Sequence, residues 1–324
     1  MCSRITYRGT GTTLITGRTL DWMLPSQANL WVLPAGLHRH GAAKTNSFEW
    51  TAQHGSVVAS MYDGATVDGI NDAGLAASVL YLSSTIYPAR DETRPGLAVG
   101  AWAQWVLDSF ATTADAVAAL REDPFQLVSP ALPGGFAPTV HLTVVDATGD
   151  NAIVEFIDGA MRIHHGYDYR VTTNEPHFEE QLALTTYWNE IGGQAMLPGT
   201  ERASDRFVRA SYYLSLVEPT DDTITAVATM FSLIRNVSVP WGATLSGLPN
   251  IAPTLWRVVA DHGTRTYYFE STRSPNVFWV DLASVDLSVG APVLKLVAED
   301  GPIRAGEVSA EFEPAEPFAF LPEV

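Results

Sequence analysis

Apolar residues recur at two different spacings along the 324-residue chain, and the two spacings alternate in blocks. Short runs rich in β-branched residues, broken by Gly, Pro, Asn or Asp, are typical of strands. These runs predict strands at residues 3–7, 12–18, 30–33, 56–62, 75–82, 139–145, 152–157, 170–173, 255–260, 266–270 and 277–281.

Between these blocks the apolar spacing changes to three and four residues, which is the period of amphipathic helices. It predicts helices at residues 97–110, 113–120, 178–191, 204–217 and 222–234. Groups of strands therefore alternate with pairs of helices, and the regular strand–helix–strand order of a parallel sheet is missing. The pattern predicts an α+β fold in which helices cover antiparallel sheets. Because no repeat or Gly/Ser/Pro-rich linker divides the chain, we expect one domain over residues 2–324.

The chain is strongly acidic, with 19 Lys and Arg residues against 36 Asp and Glu residues and a net charge of −17. Nucleic acids and anionic membranes repel such a chain, so neither is an expected partner. No apolar run approaches the roughly 20 residues that span a bilayer. The first residues do not have the pattern of a signal peptide, and this predicts a soluble, cytoplasmic protein.

The sequence contains a single cysteine, Cys2. An intrachain disulfide and a cysteine-based zinc site are therefore excluded. Two histidine pairs, at 38 and 40 and at 164 and 165, have no second ligand pair at a recognisable spacing. We predict neither a metal nor another cofactor.

Cys2 directly follows the initiator methionine, and because cysteine is small we expect Met1 to be removed. Cys2 then carries a thiol and a free α-amine on one residue. An α-amine has a pKa of about 7.7–8.0 in peptides, so it can take the proton of the thiol near neutral pH. The alternative is a structural cysteine that packs as a small hydrophobic residue.

Two charged residues follow in the second predicted strand and just after it, Arg18 and Asp21. If this strand pairs with the first as a hairpin, both can lie beside Cys2. A guanidinium group there favours the thiolate, and a carboxylate can orient the α-amine. The alternative is an ordinary surface ion pair at the end of a strand.

Together with Cys2, seven ordered motifs from the amino terminus to about residue 320 resemble the choloylglycine hydrolase family, which includes penicillin V acylases and bile salt hydrolases. The motifs are GRTLDW at 17–22, DGINDAGL at 68–75, VTTNEP at 171–176, LPGT at 197–200, ASDRF at 203–207, IRNVSVP at 234–240 and SPNVFW at 274–279.

The resemblance implies a four-layer αββα sandwich of the N-terminal-nucleophile hydrolase type, a homotetramer that cleaves linear amides. It further implies that Cys2 is the nucleophile and its α-amine the base, and that Arg18 and Asp21 hold this pair. Asn174 and the backbone N–H of Tyr81 would stabilise the oxyanion, and Arg235 matches the second active-site arginine of the family.

Tyr81 also bears on the substrate, because bile salt hydrolases usually have asparagine there and penicillin V acylases have tyrosine. The later motifs are most similar to the Gram-negative branch, whose members act on penicillin V and on N-acyl homoserine lactones. Both substrates carry an apolar acyl group, and we expect aromatic or apolar side chains to bind it, with Trp22, Met23, Tyr62, Tyr81 and Tyr87 as candidates. A conjugated bile salt hydrolase and a catalytically silent ligand-binding member of the same fold are the alternatives.

Overall fold

The computed structural model describes residues 2–130, 132, 138–192, 195–243 and 252–324. Met1, whose removal the sequence predicts, lies outside the described residues. The strands, in chain order, are β1 (Cys2–Arg8), β2 (Leu14–Asp21), β3 (Asn29–Leu33), β4 (His38–His40), β5 (Glu49–Thr51), β6 (Ser56–Met61), β7 (Ala65–Asn71), β8 (Ala76–Tyr81), β9 (Gly96–Ala98), β10 (Gln126–Val128), β11 (Val140–Val145), β12 (Asn151–Ile157), β13 (Ala160–His165), β14 (Val171–Thr172), β15 (Thr254–Asp261), β16 (Thr266–Ser271), β17 (Phe278–Asp281), β18 (Leu294–Val297), β19 (Gly306–Glu307) and β20 (Glu313–Pro314). The α-helices are α1 (Val99–Ser109), α2 (Thr113–Arg121), α3 (Phe178–Ile191), α4 (Ala203–Leu216) and α5 (Thr223–Asn236).

Two large sheets face each other in the middle of the molecule. One has seven strands in the order β14-β1-β2-β15-β16-β17-β19, and the other has nine in the order β13-β12-β11-β8-β7-β6-β3-β18-β20. Helix α1 packs on β7 and β8 and α2 on β12, while α4 and α5 pack on β1 and β2. The layers therefore run helix, sheet, sheet, helix, which confirms the predicted αββα sandwich.

Strand β1 lies between β2 and β14 in the seven-stranded sheet, and its residues alternate between two environments. Ile5 and Tyr7 belong to the apolar core under the helices α4 and α5, whereas Cys2 belongs to the larger core between the sheets. This is the two-residue period of a strand. The first strand of the chain is thus an interior strand, and its first residue faces the other sheet.

The predicted hairpin of the first two strands is present. The antiparallel register of β1 and β2 places Cys2 opposite Leu20 and Arg4 opposite Arg18, so that Arg18 is the diagonal neighbour of Cys2 on the same face. Asp21 follows Leu20 and points to the opposite face, toward the helices.

All five predicted helices exist, but the sequence pattern missed several strands. The most important of these is β7, ATVDGIN, in which Asp68, Gly69 and Asn71 interrupt the apolar alternation. Each polar side chain has a buried partner, so β7 remains a central strand of the nine-stranded sheet. None of the helices in the described ranges is long and apolar enough to cross a membrane.

Candidate active site

The side chain of Cys2 lies in the wall of an apolar pocket between the two sheets and α1. Only 3% of Cys2 is exposed. The pocket has a volume of about 600 Å³, its open mouth included. Its walls are mostly aliphatic and aromatic, with Leu20, Trp22, Met61, Val79, Tyr81 and Val140 among the lining side chains. The pocket therefore suits an apolar group bound next to a thiol.

The guanidinium of Arg18 fills a gap between β7 and β8. The regular pairing of these strands stops next to Val67 and Val79, and the two carbonyls each accept a hydrogen bond of 3.0 Å from Arg18. Val67 lies at a register shift between β6 and β7. The Nη2 atom of Arg18 is 3.6 Å from the Sγ atom of Cys2. A cation held at this distance favours the thiolate form of a cysteine.

A second ionisable group near Arg18 is the buried carboxylate of Asp68. It accepts hydrogen bonds from the Ser78 hydroxyl at 2.5 Å and the Tyr267 hydroxyl at 2.8 Å. Burial raises the pKa of Asp68, and the charge of Arg18 opposes this shift. Arg4 is also buried, and burial lowers its pKa to about 10. Arg4, Arg18 and Asp68 thus form a buried charged group, in which Arg18 is the member next to the thiol.

Asn174 connects the main chain of Cys2 to β8. Its side chain is fully buried between β14 and α3. Its Oδ1 atom accepts a hydrogen bond of 2.6 Å from the backbone N–H of Cys2 and one of 2.8 Å from Arg206. Its Nδ2 atom donates to the carbonyl of Tyr81. The amide therefore lies where the nitrogen of Cys2 and the end of β8 meet.

Arg206, in the first turn of α4, binds the main chain of Cys2 from the helix side. It donates to the carbonyl of Cys2 at 2.8 Å and to the Ser3 hydroxyl. Its Nη1 atom lies 3.4 Å from the Oδ2 atom of Asp21, and Thr254 donates to the Oδ1 atom of Asp21 at 2.6 Å. Burial lowers the pKa of Arg206, and the negative charge of Asp21 opposes this. The buried Arg206–Asp21 pair thus supports the start of β1.

Arg235 is the predicted site residue that the structure does not bring to Cys2. It lies at the end of α5 with its side chain 49% exposed, and its Nη2 atom is 2.6 Å from Glu270. The second arginine beside Cys2 is Arg206. Sequence reasoning missed its role, although Arg206 lies in the ASDRF motif that carried part of the resemblance. Arg206 lies in the first turn of α4, next to the start of β1, whereas Arg235 lies in the last turn of α5 and pairs with Glu270 of β16.

Of the aromatic and apolar residues predicted to bind an acyl group, Trp22 and Tyr81 line the pocket. Their ring centroids are 5.9 Å apart in an edge-on arrangement. Tyr62 lies one step further out and accepts a hydrogen bond of 3.1 Å from the Trp22 indole. Tyr87 hydrogen-bonds the backbone of β11, and Met23 is 41% exposed. These last three support the wall or lie outside it.

The backbone N–H of Tyr81 points toward the gap that holds Arg18. The N–H of Leu82 donates to Thr139 at 2.9 Å, and Tyr81 is paired with Val140. Hydrogen-bonded and non-hydrogen-bonded pairs alternate in an antiparallel ladder, so Tyr81 and Val140 form a non-hydrogen-bonded pair. The N–H of Tyr81 is consequently directed away from β11. This orientation makes it available to a group bound beside Cys2.

No three His, Cys, Asp or Glu side chains within the described ranges are grouped so that they could hold a metal ion. The arrangement instead contains a thiol, a nearby cation, backbone and amide hydrogen-bond donors, and an apolar pocket. In an αββα sandwich whose first strand begins with a cysteine, these features define an amide hydrolase with an N-terminal cysteine.

The comparisons with known proteins agree with that class. Residues 2–295 match the model of the linear amide C–N hydrolases of the choloylglycine hydrolase family. The chain belongs to this family.

Two relatives share nearly half of the sequence. Penicillin V acylase of Pectobacterium atrosepticum is 46% identical over 329 aligned positions, which cover 94% of this chain and 88% of that protein. The structure of penicillin V acylase from Agrobacterium tumefaciens superposes with a TM-score of 0.93 at 48% identity, covering 99% of this chain and all of the other. A variant of conjugated bile acid hydrolase from Clostridium perfringens shares the fold, with a TM-score of 0.78 at 18% identity over 94% of this chain and 99% of that one.

Proposed function

We propose that this amide hydrolase is an acylase that cleaves penicillin V and N-acyl homoserine lactones through a thioester on Cys2. The observation that carries the proposal is the thiol of Cys2 in the wall of an apolar pocket with Arg18 at 3.6 Å. The two penicillin V acylases at 46% and 48% identity support the substrate class.

The acyl group would enter the pocket between Trp22, Tyr81 and the aliphatic side chains, with its carbonyl carbon next to the sulfur. Apolar burial contributes roughly 25 cal/mol per Å² of surface removed from water. A phenoxyacetyl or alkanoyl group can use this energy, whereas the charged or polar amine part of the substrate would remain toward the mouth.

In the proposed reaction, the α-amine freed by removal of Met1 takes the proton of the thiol, and the sulfur attacks the carbonyl carbon. The negative charge on the carbonyl oxygen is stabilised by the N–H of Tyr81 and the side-chain amide of Asn174. The C–N bond then breaks, and the proton held by the α-amine passes to the leaving amine. Water hydrolyses the thioester, which releases the carboxylic acid and restores the thiol.

Arg18, Asp21 and Arg206 would hold these groups in place during both steps. Arg18 stabilises the thiolate, and Arg206 and Asp21 fix the main chain on which the amine sits. The two oxyanion donors, Tyr81 and Asn174, would each contribute about 10²–10³ in rate.

The experiment that tests the proposal is a substrate panel of penicillin V, homoserine lactones of several acyl lengths, and glycocholate. We expect hydrolysis of the first two classes at higher kcat/KM than of glycocholate. Faster release of glycine from glycocholate would instead favour the bile salt hydrolase.

Cys2→Ala is the matched control, and we expect no hydrolysis of any substrate by this variant. Intact-mass measurement of the purified wild-type protein should show the loss of Met1. A wild-type protein that binds these compounds without cleaving them would favour the silent ligand-binding alternative.

We also propose that the protein assembles as a homotetramer, as the family resemblance implies. One helix offers a suitable surface. Apolar side chains of α3 and the turn after it are unusually exposed: Leu182, Leu184, Tyr187, Ile191 and Met196 are between 38% and 58% accessible. Burial of this face against a second copy would remove it from water.

A further inference from the structure

The two proposed oxyanion donors come from different parts of the fold. Tyr81 is the last residue of β8, in the nine-stranded sheet. Asn174 lies in the segment between β14, the edge of the seven-stranded sheet, and α3. A donor works only if it is within about 2.7–3.1 Å of the place where the oxyanion forms. The spacing of these two segments therefore has to be fixed.

Several hydrogen bonds anchor the Asn174 segment at places other than the end of β8. The side-chain amide of Gln181 donates to the carbonyls of Asn174 and Pro176 at 2.6 and 2.7 Å. The backbone N–H of Phe178 donates to Glu155 of β12 at 3.1 Å. These bonds tie the segment to α3 and β12, and they do not connect it to the end of β8.

Direct side-chain connections to the end of β8 come from the neighbouring residues Asn174 and Glu175. The side-chain amide of Asn174, which is the proposed oxyanion donor, makes one such connection by donating to the carbonyl of Tyr81. The carboxylate of Glu175 accepts a hydrogen bond of 2.9 Å from the backbone N–H of Ser83 and a second one from the Ser83 hydroxyl. Ser83 is two residues after Tyr81, and Glu175 is one residue after Asn174. The Glu175–Ser83 contact thus spans the two segments without using a donor that the oxyanion needs.

We propose that Glu175 and Ser83 are positioning residues that fix the spacing of the oxyanion hole. The inference rests on the proposed function and extends it to two residues outside the reacting groups. Both bonds are charge-assisted, and such bonds are stronger and shorter than neutral ones. They also oppose any separation of the two segments when either of the proposed substrates enters the pocket.

The test compares Ser83→Ala, Glu175→Gln and the double variant with the wild type, using penicillin V or the best substrate of the panel. We expect each single variant to lower kcat roughly 10-fold with little change in KM, because the contact acts on the transition state. Ser83→Ala removes the hydroxyl bond and leaves the bond from the backbone N–H, whereas Glu175→Gln removes the charge on which both bonds depend. Because the two substitutions act on one contact, the double variant should be no worse than the more affected single variant.

Alkylation of Cys2 by iodoacetamide supplies a readout of the nucleophile that does not use an oxyanion hole. Its rate should be unchanged in all three variants. Ser288→Ala is the matched control, because Ser288 binds Asp286 through its backbone N–H and hydroxyl at an exposed turn. We expect wild-type kcat for this control.

Wild-type kcat in both single variants would overturn the proposal. A parallel fall of the alkylation rate would also overturn it, because the loss would then lie in the nucleophile or in general folding. If the wild type alkylates but hydrolyses no amide, the proposed function fails and this inference fails with it. That outcome differs from an active wild type whose variants have the same kcat, which would overturn this inference alone.

Discussion

At the scale of single residues, the local sequence predicts which residues lie beside Cys2 only where the neighbouring strands fix the direction of their side chains. Cys2 and Arg18 lie on neighbouring strands of one hairpin, so the hairpin register alone brings them together. Asn174 reaches Cys2 from 172 positions away, and here the resemblance supplied what spacing could not. Arg235 and Arg206 both lie in recognisable motifs on helices. Only the contacts in the folded structure show that Arg206, and not Arg235, reaches the main chain of Cys2.

We therefore expect substitution of Arg206 to lower the activity and substitution of Arg235 to leave it nearly unchanged. Arg206→Lys keeps the charge beside Asp21 but loses the fork of donors that binds the carbonyl of Cys2 and Asn174. We expect kcat/KM for penicillin V to fall about 100-fold. Arg235→Ala removes a half-exposed guanidinium that contacts Glu270, and Glu270 keeps its second partner, Arg257.

Steady-state kinetics of both variants, with circular dichroism to confirm folding, provide the measurement. We expect Arg235→Ala to keep kcat/KM within about 2-fold of the wild type. If Arg235→Ala were the inactive variant and Arg206→Lys the active one, the assignment from the structure would be wrong.

At the scale of elements, the sequence pattern predicts helices better than strands in this fold. An amphipathic helix such as α5 carries its own signal, because its apolar side faces β1 and β2. Strand β7 does not, since its interior carries Asp68 and Asn71, and these polar side chains become acceptable only when partners from other elements meet them. The pattern does not predict the short strands β18, β19 and β20 for a different reason, because two to four residues are too few for a period to appear.

Helix α3 supplies the prediction at this scale. The double substitution Tyr187→Glu and Ile191→Glu places charges on its exposed apolar face, where the side chains are 58% and 43% accessible. If this face joins two copies, the variant should dissociate, because burying unpaired charges is costly. Light scattering coupled to gel filtration gives the mass of the wild type and of the variant.

We expect four times the chain mass for the wild type and a smaller assembly for the variant. Ile303→Glu is the control, because this residue is 70% exposed in a loop outside the helices. A monomeric wild type, or a variant that keeps the wild-type mass, would rule out this face as the interface.

At the scale of the whole molecule, the two sheets depend on each other through buried polar contacts that cross the central layer. His262, at the end of β15, is one of them. Its Nδ1 atom contacts the carbonyl of Gly74, in the turn between β7 and β8, at 2.7 Å, and its Nε2 atom contacts Thr16 of β2 at 3.0 Å. Burial lowers the pKa of His262 to about 4, although the hydrogen bond to Gly74 opposes the shift.

This pKa predicts an acid-sensitive stability. The unfolded chain binds a proton at His262 below about pH 6.5, whereas the folded chain binds it only near pH 4. The free energy of unfolding therefore falls as the pH falls from 6.5 to 4, by about 3 kcal/mol from this residue. We expect the midpoint temperature of unfolding to depend less on pH in His262→Gln than in the wild type.

Thermal unfolding of both proteins between pH 4 and pH 7.5 measures the difference. The other titrating groups are the same in both chains, so the comparison isolates His262 even if the variant is less stable throughout. Parallel curves for the two proteins would show that His262 does not titrate in this range.

Arg18 belongs to β2 of the seven-stranded sheet and fills a gap between β7 and β8 of the nine-stranded sheet, so it reaches this gap only once the two sheets have met. At that point the thiol of Cys2 passes from an unfolded strand to a place beside a fixed guanidinium. Because Cys2 is the sole cysteine of the sequence, no other thiol contributes to its reaction with a thiol reagent. The rate of reaction with a thiol reagent during refolding therefore shows when the two sheets have packed together, and this needs neither an added label nor a substitution. The rate at which Cys2 reacts with such a reagent thus reports how far the two sheets have assembled.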